Sequence, residues 1–209
     1  MELNICHLYP DILNLYGDRG NIITMKRRLE SRGISVNVDE CSIGQPLDVD
    51  KYDIFFIGGG QDFEQEVLLR DLASGKGKDI CTAVEEEKVF LAICGGYQML
   101  GQYYKTWDGV QLDFIGAINV HTIGAKERMI GNYMFTCDEL NCEIVGFENH
   151  SGKTYLGAGV KPMGKVLAGF GNNGEDGTEG ARYKNVFGTY SHGSLLPKNP
   201  KLADHILRV

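Results

Sequence analysis

The 209-residue chain carries 21 lysines and arginines against 28 aspartates and glutamates, a formal net charge of −7, with 43% hydrophobic and 23% charged residues. That is an ordinary globular composition, long enough for one sizeable core, and it offers no basic run that could track a phosphate backbone, so nucleic acid is not an expected partner. The opening MELNICHLYP has no charged stretch leading into an apolar one, and no unbroken apolar run reaches roughly 18 residues, so a soluble, cytoplasmic protein without a transmembrane segment is expected.

In chain order, the first half alternates apolar runs with helix-like segments, the pattern of a parallel sheet with crossover helices and hence of an α/β fold. LNICHL (3–8) reads as the first strand, and residues 20–32 as a helix with Ile22, Ile23, Met25 and Leu29, stopped by Gly33. ISVNVDE (34–40) alternates as the next strand. YDIFFIGGG (52–60) is a buried strand that runs into three glycines, residues 78–87 read as a helix, and VFLAIC (89–94) is a further buried strand meeting a turn and a helix from near Tyr97. Two buried strands thus end in glycine turns. In an open parallel sheet, ligands bind at the carboxyl ends of the strands, so both turns are expected to face one site.

Past Trp107 the segments RMIGNYMFTC (128–137), CEIVGFENH (142–150) and VFGTYSH (186–192) suggest antiparallel or mixed strands added to that sheet. GFGNNGEDGTEGARYKN (169–185) is too rich in glycine, asparagine and acid to pack as helix or strand; it is a linker or a shaped functional loop, and composition favours the linker. A final helix is expected over 200–209. No repeat, coiled coil or second core is visible, so residues 1–209 are read as one domain. The six cysteines include no C-x-x-C pair, which indicates a reducing setting with most thiols buried. No G-x-x-x-x-G-K-[ST] motif is present; SGKGK (74–78) follows no strand and reads as a loop, so this chain is not expected to bind ATP.

LAICGGYQML (91–100) places Cys94 between an apolar strand and a Gly-Gly step. A strand, a sharp turn and a helix make a nucleophile elbow, and the helix N-terminus together with a histidine would favour the attacking thiolate. A cysteine ending a core strand is just as readily structural. Two features favour the nucleophile. The IGGG turn (57–60) could aim backbone amides at an oxyanion, and GTYSHG (188–193) puts His192 at a strand end, where it could serve as base. Gly193 and Ser194 follow His192, so no carboxylate stands next to it to orient the imidazole.

ICGGYQMLG with the upstream IGGG and downstream GTYSHG resembles the class I glutamine amidotransferases, in the branch that includes cobyric acid synthase. YPDILNLYGDRGNI, IGGGQDFEQ, GFENHSGKTYLG, GNNGEDGTEG and GTYSHGSLLPKNPKLADHIL extend the likeness to the glutaminase subunits of lipid II isoglutaminyl synthases, over nearly the whole chain. The resemblance implies a three-layer α/β fold, a mostly parallel sheet flanked by helices with added antiparallel strands. It further implies that Cys94 attacks the side-chain amide of L-glutamine, with a glutamyl thioester as intermediate, and that His192 activates the thiol and protonates the leaving amine. Gly95, Gly59 and Gly60 would supply oxyanion-hole amides, and Gln98 and Arg128 would hold the amino-acid end of the substrate. The implied partner is a Mur-ligase-like synthetase subunit in a heterodimer; it would carry ATP and Mg and present lipid II, while this chain holds no cofactor or metal. Glu148, Asp176 or the partner could supply the carboxylate that His192 lacks. A corrinoid carboxylate as acceptor, another cysteine hydrolase of similar fold and a catalytically silent module remain as alternatives.

Overall fold

The computed structural model describes residues 1–14, 18–60 and 62–209, with the side chains of 62–66 outside the description. Residues 15–17 of YPDILNLYGDRGNI and the QDFEQ part of IGGGQDFEQ therefore lie, wholly or in their side chains, outside the described residues. Strand β1 (Glu2–Leu8) is followed by helix α1 (Arg19–Glu30) and strand β2 (Ser35–Cys41), which pairs parallel with β1. On the other side of β1 lies β3 (Ile54–Ile57), and beyond it β4 (Val89–Ile93). β3 (IFFI) and β4 (VFLAI) are buried at every position. This is what helices on both faces of a parallel sheet require. Phe55 and Phe90 stack across the two strands at 4.7 Å between ring centroids.

The crossover from β3 to β4 runs through α2 (Asp62–Asp71), a wider helical turn at Leu72–Lys76 and α3 (Gly77–Glu85). SGKGK therefore belongs to a helical junction kinked at Gly75, where a loop is expected from its composition. Lys76 is buried there, 2.7 Å from Asp71, because the pair and the Ser42 carbonyl satisfy its charge in the interior. α1 buries Ile22, Met25 and Leu29 and ends in Arg27 and Arg28, cations placed favourably at the negative end of the helix dipole.

The last strands of the first sheet come from the far end of the chain. β12 (Val186–Thr189) pairs parallel with β4, and β11 (Ala181–Tyr183) closes the edge antiparallel to β12, giving the order β11-β12-β4-β3-β1-β2. The expectation that the late strands are added to this sheet fails for most of them, which form a second sheet. After α4 (Gly95–Met99), β5 (Tyr103–Lys105) and β6 (Gln111–Asp113) lead to a long antiparallel hairpin, β7 (Val120–Cys137) with β8 (Cys142–Leu156). β9 (Gly164–Ala168) and β10 (Thr178–Glu179) complete it. The physical reason is length: a hairpin this long pairs with itself and needs no neighbour in the first sheet. Its register breaks once, between Gly124 and Met129.

Short helices α5 (Leu195–Lys198) and α6 (Pro200–Ile206) close the described chain, and Asp204 of α6 takes a two-pronged hydrogen bond from Arg28, both arms 2.7 Å. The final helix ends at Ile206, three residues short of the end of the 200–209 span read from sequence. All six cysteines are free thiols, with Cys6, Cys41, Cys94 and Cys137 buried. Among the described residues no helix is long and apolar enough to cross a membrane.

Candidate active site

Cys94 joins β4 to α4 with φ 48° and ψ −106°, a positive φ that side chains with a Cβ rarely adopt. Hydrogen bonds hold it there from both sides. Its N–H donates to the Thr189 carbonyl of β12 at 2.8 Å, and its own carbonyl accepts the Gln98 N–H at 2.9 Å, opening the first turn of α4. The following glycine step is steric: a Cβ on Gly96 would lie 2.5 Å from Ile57 Cγ2 and 2.7 Å from the Gly58 carbonyl. The short apolar strand, forced turn and Gly-Gly step thus make the elbow, with the thiol 6% exposed at the carboxyl end of the sheet.

His192 arrives from the turn after β12, fully buried, its N–H donating to the Phe147 carbonyl of β8 at 2.7 Å. Burial alone would lower the affinity of the imidazole for a proton. The negative charge and hydrogen bonding of Cys94 and the carboxylate of Asp18 outweigh it, raising the His192 pKa from 6.5 to about 10. The imidazole is thereby held toward its protonated form.

Asp18 is the residue that sequence reasoning missed. It is fully buried just before α1, with Oδ2 3.4 Å from His192 Nδ1. A buried carboxylate of this chain thus stands beside the imidazole. Neither in-chain candidate named from the sequence stands there. Glu148 turns away to accept the N–H groups of Phe170 and Gly171 at 2.8 and 2.9 Å, and Asp176 accepts from Asn173 and Thr178. The signal that could have found Asp18 is positional: it lies beyond a strand flanking the two glycine-ended ones.

The glycine turn is packed against this pair. A Cβ on Gly59 would lie 2.5 Å from His192 Cε1 and 3.1 Å from Asp18 Oδ2, so only glycine fits. The Gly59 N–H donates to Asp18 Oδ2 at 2.8 Å, which engages it with the acid and directs it away from an oxyanion. Gly60 follows in the same turn. Gly95 is the first residue of α4, where helix geometry leaves the N–H without an intrahelical acceptor and next to the thiol.

Gln98 and Arg128 occupy different settings. Gln98 is buried behind the elbow and donates to the Tyr190 hydroxyl at 2.9 Å. Arg128 is exposed at the register break of β7, its guanidinium donating to Asn149 Oδ1 at 3.0 and 2.7 Å. Asn149 lies two residues along β8 from Phe147, which holds the His192 backbone. The second sheet supplies the rest of the support: Thr154 and the Tyr190 hydroxyl are 2.6 Å apart, and the His150 ring stacks on Tyr190 at 3.6 Å. The segment 169–185 is no linker. It contains β10 and β11 and a dense set of hydrogen bonds, among them Tyr97 to Asn172 and Asn172 to Gly180. Among the described residues no cluster of three or more His, Cys, Asp or Glu side chains could hold a metal ion.

Comparison with known proteins follows the same lines. Residues 4–200 match the profile of the CobB/CobQ-like glutamine amidotransferase domain. The chain is 43% identical to the lipid II isoglutaminyl synthase (glutamine-hydrolyzing) subunit GatD of Streptococcus pneumoniae, over 97% of this chain and 78% of that protein. It is 44% identical to the GatD subunit of Staphylococcus aureus, over 99% of this chain and 83% of that protein. A probable cobyric acid synthase of Methanothermobacter thermautotrophicus is 36% identical over 57% of this chain and 26% of its own length. Among solved structures, a chain of PurLQS from Thermotoga maritima superposes with a TM-score of 0.66 at 15% identity, covering 100% of this chain and 98% of that one. The glutaminase domain of Trypanosoma brucei CTPS does so at 0.58 and 7%, covering 99% and 94%.

Proposed function

Because the chain belongs to the CobB/CobQ-like glutamine amidotransferase family, we propose that it is a glutaminase subunit that hydrolyses L-glutamine at Cys94 and passes the ammonia to a Mur-ligase-like synthetase. That partner, which would bind ATP and Mg, amidates the α-carboxyl of D-glutamate in lipid II in the cytoplasm. The observation that carries the reading is the strained Cys94 elbow facing His192, itself backed by Asp18.

The arrangement supports a covalent sequence of steps. The Cys94 thiolate attacks the side-chain amide carbon of glutamine, and the oxygen takes the developing charge. The Gly95 N–H, at the positive end of α4, is placed to stabilise it; one such donor is worth roughly 100- to 1,000-fold in turnover. His192 gives its proton to the departing nitrogen, releasing ammonia and leaving a glutamyl thioester. It then takes a proton from the water that hydrolyses the thioester. Asp18 holds Nδ1 throughout and stabilises the imidazolium by its charge, so the proton is exchanged at Nε2. Arg128 would grip the glutamine carboxylate from the register break of β7, a role suited to a planar guanidinium. Gln98 fits better as a brace for Tyr190 behind the elbow than as a ligand.

A corrinoid acceptor is the second reading. The extent of the matches favours lipid II: the two GatD relatives are covered over most of their length, the cobyric acid synthase over about a quarter of its own. The test is ammonia release from glutamine with and without a co-purified Mur-ligase-like protein, paired with labelling by a diazoketone glutamine analogue. Ammonia release and label on Cys94 are expected. Labelling that persists in Cys94→Ala would remove the proposed chemistry, and lipid II that stays unamidated with glutamine, ATP and the partner present would remove the proposed acceptor.

A further inference from the structure

Glu179 is a fully buried carboxyl with no part in the steps above, and burying such a group without return is costly. It stands on β10 of the second sheet, where its backbone is fixed by pairing with Gly164 and by the Met163 N–H donating to its carbonyl at 2.9 Å. Its side chain crosses to the first sheet. Oε1 accepts the Thr189 hydroxyl at 2.6 Å and the Tyr190 N–H at 3.0 Å, both at the end of β12.

Thr189 is the junction of the catalytic pair. Its carbonyl accepts the Cys94 N–H at 2.8 Å, and its hydroxyl oxygen accepts the Ser191 N–H at 3.0 Å, setting the turn that presents His192. One acceptor oxygen thus fixes the Thr189 rotamer, the Tyr190 peptide and, through them, the relation of base to nucleophile. The mount is itself rigid. Asn172 grips Gly180, next to Glu179, by donating to its carbonyl and accepting its N–H, both at 3.0 Å, and receives the Tyr97 hydroxyl from α4 at 3.4 Å.

We infer that Glu179 is a positioning residue for glutamine hydrolysis, acting through Thr189 and Tyr190 to hold Cys94 and His192 in register. The second sheet thereby sets the geometry of a site whose reacting groups all come from the first. Burial pushes the carboxyl up to about 7, against the hydrogen bonds from Thr189, Tyr190 and Tyr133 that favour its charge, with Glu148 raising it further. An uncharged carboxyl keeps Oε1 as an acceptor, and glutamine offers the same oxygen in the same place. The function therefore lies in the oxygen, and the conservative amide should retain it.

The inference rests on the glutaminase reading, and the test separates the two. Steady-state glutamine hydrolysis by the chain with its synthetase partner is compared for wild type, Glu179→Gln, Glu179→Leu and Thr189→Val, with melting curves for each. A displacement of about 1 Å in a reacting group costs on the order of 100-fold. Glu179→Leu and Thr189→Val should lower kcat by about 10- to 100-fold with KM within about threefold, and slow diazoketone labelling of Cys94 in parallel, while Glu179→Gln stays within about threefold of wild type. A folded Glu179→Leu with wild-type kcat, a Thr189→Val with wild-type kcat, or a Glu179→Gln as slow as Glu179→Leu overturns the inference. If Glu179→Leu does not fold, Thr189→Val decides by the same criterion. A wild type that releases no ammonia overturns the glutaminase reading, and this inference with it.

Discussion

The first sheet is assembled from short strands, of which β3, β4 and β12 are buried throughout, and its candidate chemistry gathers at the carboxyl ends of β1, β3, β4 and β12, where Asp18, the glycine turn, Cys94 and His192 meet. The second sheet is dominated by a hairpin of 18 and 15 residues whose buried side chains are often polar: Thr122, Glu148, His150 and Thr154. One sheet therefore supplies reacting groups and the other holds their backbone. A site divided in this way can be disabled from either side, by removing a reacting atom or by shifting the frame behind it.

Three substitutions sharpen the division, from the largest expected effect to the smallest. Asp18→Asn attacks the first sheet's chemistry. It should lower kcat for glutamine hydrolysis by about 100-fold or more, by analogy with the loss of an orienting carboxylate in other triads. The pH dependence has a definite sign. With the His192 pKa raised from 6.5 to about 10, the stability gained from its charge is fully present below about pH 6.5 and is lost as pH rises through about 10. Asp18→Asn removes part of the cause, so the alkaline limb of the rate profile should move down toward neutral; an unmoved limb would separate Asp18 from His192.

Gly146→Ala attacks the frame, at a residue with no chemistry of its own. Its Cβ would fall 1.9 Å from Ser191 Oγ and 2.9 Å from Tyr133 Cε1, pushing the turn that presents His192. Overpacking of this kind costs about 1–3 kcal/mol in stability. The variant should melt lower and turn over roughly tenfold more slowly where still folded. Full activity would show that the turn tolerates displacement. Arg128→Ala tests the exposed rim of the second sheet: KM for glutamine should rise about tenfold, with kcat nearly unchanged, as expected for binding lost equally in ground and transition states. An unaltered KM would place the substrate carboxylate elsewhere.

The same division explains what could be read from the amino-acid sequence. The parallel half announces itself locally, as apolar runs ending in glycine, so β3, β4, the elbow at Cys94 and the strand-end His192 are legible. Asp18 is not, because its partner lies at the opposite end of the chain and no spacing rule joins them. The ties of Glu179 to Thr189 and of Gln98 to Tyr190 are likewise tertiary. The segment 169–185 misleads for a different reason: glycine-rich composition serves flexibility and shape alike. Here Gly169, Gly171, Gly174, Gly177 and Gly180 all have positive φ, so glycine supplies conformations that other residues resist.

The backbone at Cys94 carries a further consequence, for thermal stability. A non-glycine residue held at φ 48° and ψ −106° costs roughly 1–3 kcal/mol, which the surrounding hydrogen bonds must offset. Cys94→Gly relieves that cost while deleting the nucleophile. Calorimetry should find this inactive variant melting above Cys94→Ala, which keeps the Cβ and the strain. The fold would then be sturdier without its catalyst, and the difference in melting temperature between the two inactive proteins would measure how much stability the enzyme gives up to keep a thiol at the elbow.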